Sequence, residues 1–250
     1  MKKQWFGSPA IVCMALVLLF CSQVSADPVV ISGVPAYLNQ SGCGPTSIAS
    51  VLGYYDAVRG YSNMFTAQGS AMYLTPNVLD QILSIANYCG TSNGETDVSN
   101  VGPGLIAYAA SKGYGFQASL TRLSLNATWS LLVREVNAGR LPIFEADSDG
   151  DGSADHLVPV FGYDDRGVGG KWYACYTGES ESETPIWEPF IKEVAGTPYG
   201  FYEEIQIQPT QPVPEPATFA LLLLGLSPLV LYRRKISGVP IILPRSKVFH

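Results

Sequence analysis

The chain has 250 residues, 47% of them hydrophobic and 14% charged, with 15 Lys and Arg against 21 Asp and Glu and a net charge of −6. That apolar content is enough to build a sizeable core. Outside the C-terminal end there is no basic run, so a phosphate backbone finds no counter-charge and nucleic acid is excluded as a partner.

In chain order, Met1-Lys2-Lys3 carries positive charge and the apolar run at 11–20 is too short to span a bilayer. Val24-Ser25-Ala26 then supplies small residues, so residues 1–26 read as a signal peptide cut by signal peptidase after Ala26, and the protein is expected to be exported. Extended segments follow at 29–31 and 34–37. A helix is predicted over 45–55, with Ile48, Val51, Leu52 and Tyr55 on one face and Pro45 in its first turn. Residues 59–74 read as irregular, 76–87 as a second helix and 90–100 as loop. Helices are again expected over 103–113 and 125–138, the latter with Trp129, Leu132, Val133 and Val136 at helical spacing. The texture then changes to strands at 141–146, 157–163, 172–176 and 202–207. Helices first and antiparallel strands afterwards predict an α+β domain over 27–207, a helical lobe followed by a sheet lobe. Residues 208–216 are rich in Gln, Pro and Thr and read as an extended linker.

Two segments carry chemistry. Gln40-Ser41-Gly42-Cys43-Gly44-Pro45-Thr46-Ser47 places a cysteine in a tight Gly/Pro turn at a helix start, where the dipole favours thiolate. The chain has two histidines, one of them the terminal His250, so an imidazole base for Cys43 is His156, in the apolar run Asp155-His156-Leu157-Val158-Pro159-Val160-Phe161-Gly162-Tyr163. Past the signal peptide the cysteines are Cys43, Cys89 and Cys175. Either Cys89 pairs with Cys175 and leaves Cys43 free, or buried free thiols remain; a bridge to Cys43 removes the nucleophile.

Those two segments, with Gly53-Tyr54-Tyr55-Asp56, resemble the bacteriocin-processing, double-glycine cysteine peptidases of the papain clan and their extracellular relatives. The resemblance implies a papain-like cysteine peptidase fold, Cys43 as nucleophile, His156 as general base and a peptide or protein substrate. The clan places a glutamine about six residues before the cysteine as an oxyanion donor. Here that position is Tyr37, and Gln40 becomes the candidate donor. The clan also has an Asp or Asn after the histidine to orient the ring. Residues 172–179 contain neither, leaving Thr177, Glu179 or Asp164.

Asp147, Asp149, Asp151 and Asp155 occupy positions one, three, five and nine of an acidic loop, with Gly152 at six and Ser153 able to lend a carbonyl. That spacing suits calcium (Ca2+), although Val158 at position twelve excludes an EF-hand. The loop runs into His156, so a bound ion would brace the strand carrying the base.

Val213-Pro214-Glu215-Pro216, an apolar stretch at 219–231 and Tyr232-Arg233-Arg234-Lys235 resemble a PEP-CTERM sorting signal, which implies an exosortase-type processing enzyme, transient membrane anchoring through 217–235 and a bacterial envelope location. Residues 236–250 continue past the basic cluster, where such signals end. The combined expectation is an exported, surface-sorted cysteine peptidase. Its rival is a papain-like domain with impaired turnover that binds without cleaving, and acyl transfer or deamidation by the same pair is a third reading.

Overall fold

The computed structural model of the chain describes residues 27–66, 75–179 and 184–210. The signal peptide at 1–26, most of the linker, the sorting helix at 217–235 and the tail at 236–250 lie outside the described residues. The elements are β1 (Val29–Val30), α1 (Cys43–Ala57), α2 (Pro76–Cys89), α3 (Val98–Ser111), β2 (Phe116–Thr121), α4 (Leu125–Asn137), β3 (Ile143–Asp147), β4 (His156–Asp165), β5 (Lys171–Cys175), β6 (Ile186–Pro189) and β7 (Gly200–Pro209).

α1 is buried on every side from Gly44 to Tyr55, packed against α2, α3 and β4. A one-faced amphipathic helix was the expectation, yet Thr46, Ser47 and Ser50 are buried with the apolar residues. Their hydroxyls find backbone acceptors, which is what lets them leave water: Thr46 on Gly42 (2.9 Å), Ser47 on Leu157 (2.8 Å) and Ser50 on Thr46 (3.3 Å). α3 begins five residues before the expected proline because Asp97 caps it, accepting the Ser99 N–H at 2.8 Å. Pro103 is carried inside the helix, and Gly104 lets α2 approach closely, since a Cβ there would lie 2.4 Å from the Cys89 sulfur.

The strands form one antiparallel sheet in the order β2-β7-β3-β4-β5-β6, and β1 adds to β4 with Val29 opposite Tyr163 and Val30 opposite Gly162. α4 lays Trp129, Leu132 and Val136 onto Phe144, Val158, Val160, Tyr173 and Phe201 to make the core of the sheet lobe. The α+β expectation therefore holds, with corrections. The segment at 34–37 is buried without being a strand, β2 and β6 are additional, and β7 runs through Gln208 and Pro209, which the linker was expected to include. Cys43, Cys89 and Cys175 are all free. Of the two alternatives it is the buried free thiols that the structure has, without a Cys89–Cys175 bridge: Cys89 packs at the α2–α3 contact while Cys175 lies in the core of the sheet lobe.

Candidate active site

Cys43 is the first residue of α1 and is half-buried. The glycines on both sides of it answer to the turn at 91–97 that lies over the helix start. Gly42 has φ 102 and a Cβ there would lie 2.5 Å from the Gly94 carbonyl oxygen; one at Gly44 would lie 2.9 Å from Thr96. Pro45 has no N–H and the Thr46 N–H goes to the Gly42 carbonyl (3.3 Å), so the Cys43 and Gly44 N–H groups are the first-turn donors with no intrahelical acceptor.

His156 opens β4 and is 5% exposed. Its Nε2 is 2.7 Å from the Thr177 carbonyl oxygen. A carbonyl only accepts, so Nε2 carries a proton and the neutral ring has its lone pair at Nδ1. The Cys43 thiol interacts with the same ring, and Nδ1 is the nitrogen left for it. Burial pulls the ring's pKa down, but the hydrogen bonds with Cys43 and Thr177, helped by the fields of Cys43 and Glu179, outweigh it and hold the pKa above the ordinary histidine value.

Thr177 thus meets the ring through its backbone, whereas its hydroxyl oxygen accepts the Glu179 N–H at 3.4 Å. Glu179 lies one step further out, its Oε2 accepting the Tyr199 hydroxyl at 2.8 Å. Asp164 does not join the site. It follows His156 by eight residues of strand, roughly 25 Å, and is bonded to Arg166. Asn39 and Gln40 are both exposed, and it is Asn39 that borders, with Cys43 and Thr177, a cavity of about 10 Å³, room for one water. Asn39 is held there by its N–H on the Gly178 carbonyl (2.8 Å). Tyr37 is buried with its hydroxyl near Gly53, well down α1 from the sulfur.

Two contributors were not read from the sequence. Ser47, one turn below Cys43, ties α1 to the carbonyl of Leu157, the residue after His156; the signal available was its i+4 spacing from the cysteine, which puts both on one face. Tyr199 sets its ring edge-on to the imidazole, centroids 6.3 Å apart, at a φ of 60 that few non-glycine residues adopt. Its carbonyl accepts the Tyr173 hydroxyl at 2.7 Å.

In the acidic loop Asp147, Asp149 and Asp151 bring carboxylate oxygens within 4.8 Å of one another. Asp147 is fully buried and accepts the Gly150 and Gly152 N–H groups, each at 2.7 Å, around the left-handed turn at Gly152 (φ 95). Asp155 instead bonds the Ser148 N–H (2.8 Å) and hydroxyl (3.1 Å), and Ser153 donates its N–H to Asp151 (2.7 Å). On the other side of the Cys43–His156 pair a hollow of about 180 Å³ is lined by Thr96, Glu95, Glu145, Asp155 and Leu157.

The family model described as Peptidase_C39 like family matches residues 24–174. The chain belongs to that family. It is a peptidase-like domain of the Peptidase_C39-like kind. No curated protein matches. Among solved structures, UfSP from C. elegans is similar at TM-score 0.44 and 11% identity over 76% of this chain, and this chain spans about a third (35%) of the UfSP chain. SERA5E from Plasmodium falciparum is similar at TM-score 0.40 and 12% identity, covering 75% of this chain and 94% of its own. Among the described residues of this Peptidase_C39-like chain, no helix is long and apolar enough to cross a membrane.

Proposed function

We propose that this protein is a cysteine peptidase in which Cys43 is the nucleophile and His156 the general acid–base. The observation that carries the reading is the shared ring: the thiol on one side, and the Thr177 carbonyl 2.7 Å from Nε2 on the other. With Nε2–H given to that carbonyl, Nδ1 takes the thiol proton while the sulfur attacks a peptide carbonyl carbon. The imidazolium returns the proton to the leaving amine, and water then cleaves the thioester with His156 as base. Negative charge on the carbonyl oxygen falls to the Cys43 N–H and the side-chain amide of Asn39, which takes the role first given to Gln40.

The missing Asp or Asn is less damaging than the sequence suggests, because a backbone carbonyl offers the same acceptor as an asparagine side chain. Full-length protein is expected to cleave a mixed peptide library and Cys43→Ala to lose all cleavage. A wild type that cleaves nothing while binding peptides would instead support the alternative, a binding domain of impaired turnover.

We also propose that the chain is exported, loses residues 1–26 and is trimmed near Pro214-Glu215-Pro216 by an exosortase-type enzyme after transient anchoring through 217–235. The support is the order of segments in the sequence. Intact mass of protein recovered from a bacterial envelope checks this; a mass matching the full 250 residues would contradict it. A structural calcium at Asp147, Asp149 and Asp151 is a further proposal, supported by their convergence and the glycine turn. Millimolar calcium is expected to raise the melting temperature and Asp149→Asn to abolish the rise; an unchanged melting temperature removes the proposal.

A further inference from the structure

The hollow beside Cys43 and His156 has carboxylates from three separate pieces of chain and no Lys or Arg among its lining residues: Glu95 from the turn over α1, Glu145 from β3 and Asp155 just before β4. We propose that it receives a lysine or arginine side chain of the peptide, within a residue or two of the bond presented to Cys43, an inference that rests on the peptidase reading above. Asp155 is already satisfied by Ser148, so Glu145 and Glu95 are the carboxylates that meet the ligand.

Glu145 is the decisive one. Its Oε2 is buried with no hydrogen-bond partner among the described residues. The register of β3 and β7 also sets it directly opposite Glu203, a like-charge pair that the sheet tolerates at a cost. The nearby cations are committed elsewhere: Arg122 lies 3.8 Å from Glu203 with its guanidinium over the Tyr202 ring, and Lys192 donates to the Tyr202 carbonyl at 2.9 Å. Glu193, another neighbour of Glu145, also has a buried oxygen with no hydrogen-bond partner among the described residues, and the charges of Arg122 and Lys192 that reach this group are shared among three carboxylates. An ammonium or guanidinium entering beside the pair would supply the missing partner. An apolar side chain would leave a carboxylate desolvated and unpaired.

Cys43→Ala in the full chain keeps the hollow and separates recognition from chemistry. The probes are blocked alanine-rich hexapeptides carrying one arginine, or one norleucine, at each position in turn, with dissociation constants read by calorimetry. Arginine is expected to bind about tenfold or more tightly than norleucine at one or two adjacent positions, as for a charge-assisted hydrogen bond, with lysine following arginine. The added change Glu145→Gln is expected to bring the ratio close to one, and Glu95→Gln, on the exposed turn, to lower it by a smaller factor. Equal binding of the arginine and norleucine peptides, no measurable binding of the arginine set, or a ratio untouched by both substitutions overturns the proposal. An arginine preference in a protein whose wild type cleaves nothing would leave this inference standing and remove the hydrolytic one. Cleavage by the wild type with no such preference does the reverse.

Discussion

Ser47 links the helix that carries the sulfur to the strand that carries the imidazole. Its hydroxyl donates to the Leu157 carbonyl at 2.8 Å, one residue past His156, in a buried setting. Ser47→Ala is expected to cost about 1 kcal/mol of stability and to slow reaction at Cys43 by more than a loss of that size in folded fraction explains; urea melts and labelling kinetics on one preparation check both. Cys43 and His156 were legible because each is scarce: one thiol between glycines at a helix start, and one non-terminal imidazole. The group facing Nε2 was not legible, since a backbone carbonyl has no letter of its own and only the path of the chain past Tyr176 delivers it. Gln40 and Asn39 are neighbours with the same chemistry, and the choice between them turns on which way the segment faces after Asn39 pairs with Gly178.

β7 shows what a buried acid does to an element. Glu204 is fully buried between β2 and β3, with neither carboxylate oxygen partnered among the described residues. Burial, and then the nearby Glu135, push its pKa up to about 8, with Arg134 opposing. The folded pKa lies above the unfolded value near 4.5, so the protonated acid is favoured in the folded state: the stabilisation is complete below that value and is lost as pH rises through about 8. Glu204→Gln keeps the shape without the charge. It is expected to match the wild type near pH 4 and exceed it at pH 8.5 by on the order of 3 kcal/mol, measured by denaturant melts across that range; a difference that does not change with pH would contradict the assignment. Long apolar elements such as α4 and β4 were legible from their periodicity. β2 was missed although Phe116, Ala118 and Leu120 alternate with polar residues along its six positions, and β6 has only four residues, all half-buried. α3 starts ahead of the expected Pro103 because the cap at Asp97 outweighs one missing helical bond.

At the scale of the molecule, the α+β class was readable because helical spacing dominates the first half and strand texture the second. Counting cysteines left a Cys89–Cys175 bridge and buried free thiols both open, because counting does not know that the two residues sit in separate cores. What the folded whole achieves is a meeting: α1, packed against α2 and α3, is laid against β4 so that residues 43 and 156, distant along the chain, line one hollow and interact. The acidic hollow opens from that same point. The most direct measurement of this arrangement is the rate at pH 7 with which a peptidyl epoxide labels the full chain, followed by mass spectrometry of the site, in wild type and in His156→Asn. One label per chain is expected, on Cys43, at a rate about a hundredfold or more above that of the variant, the scale of a positioned acid–base group. Equal rates in the two proteins, or a label carried by Cys89 or Cys175, would contradict the pairing of sulfur and imidazole.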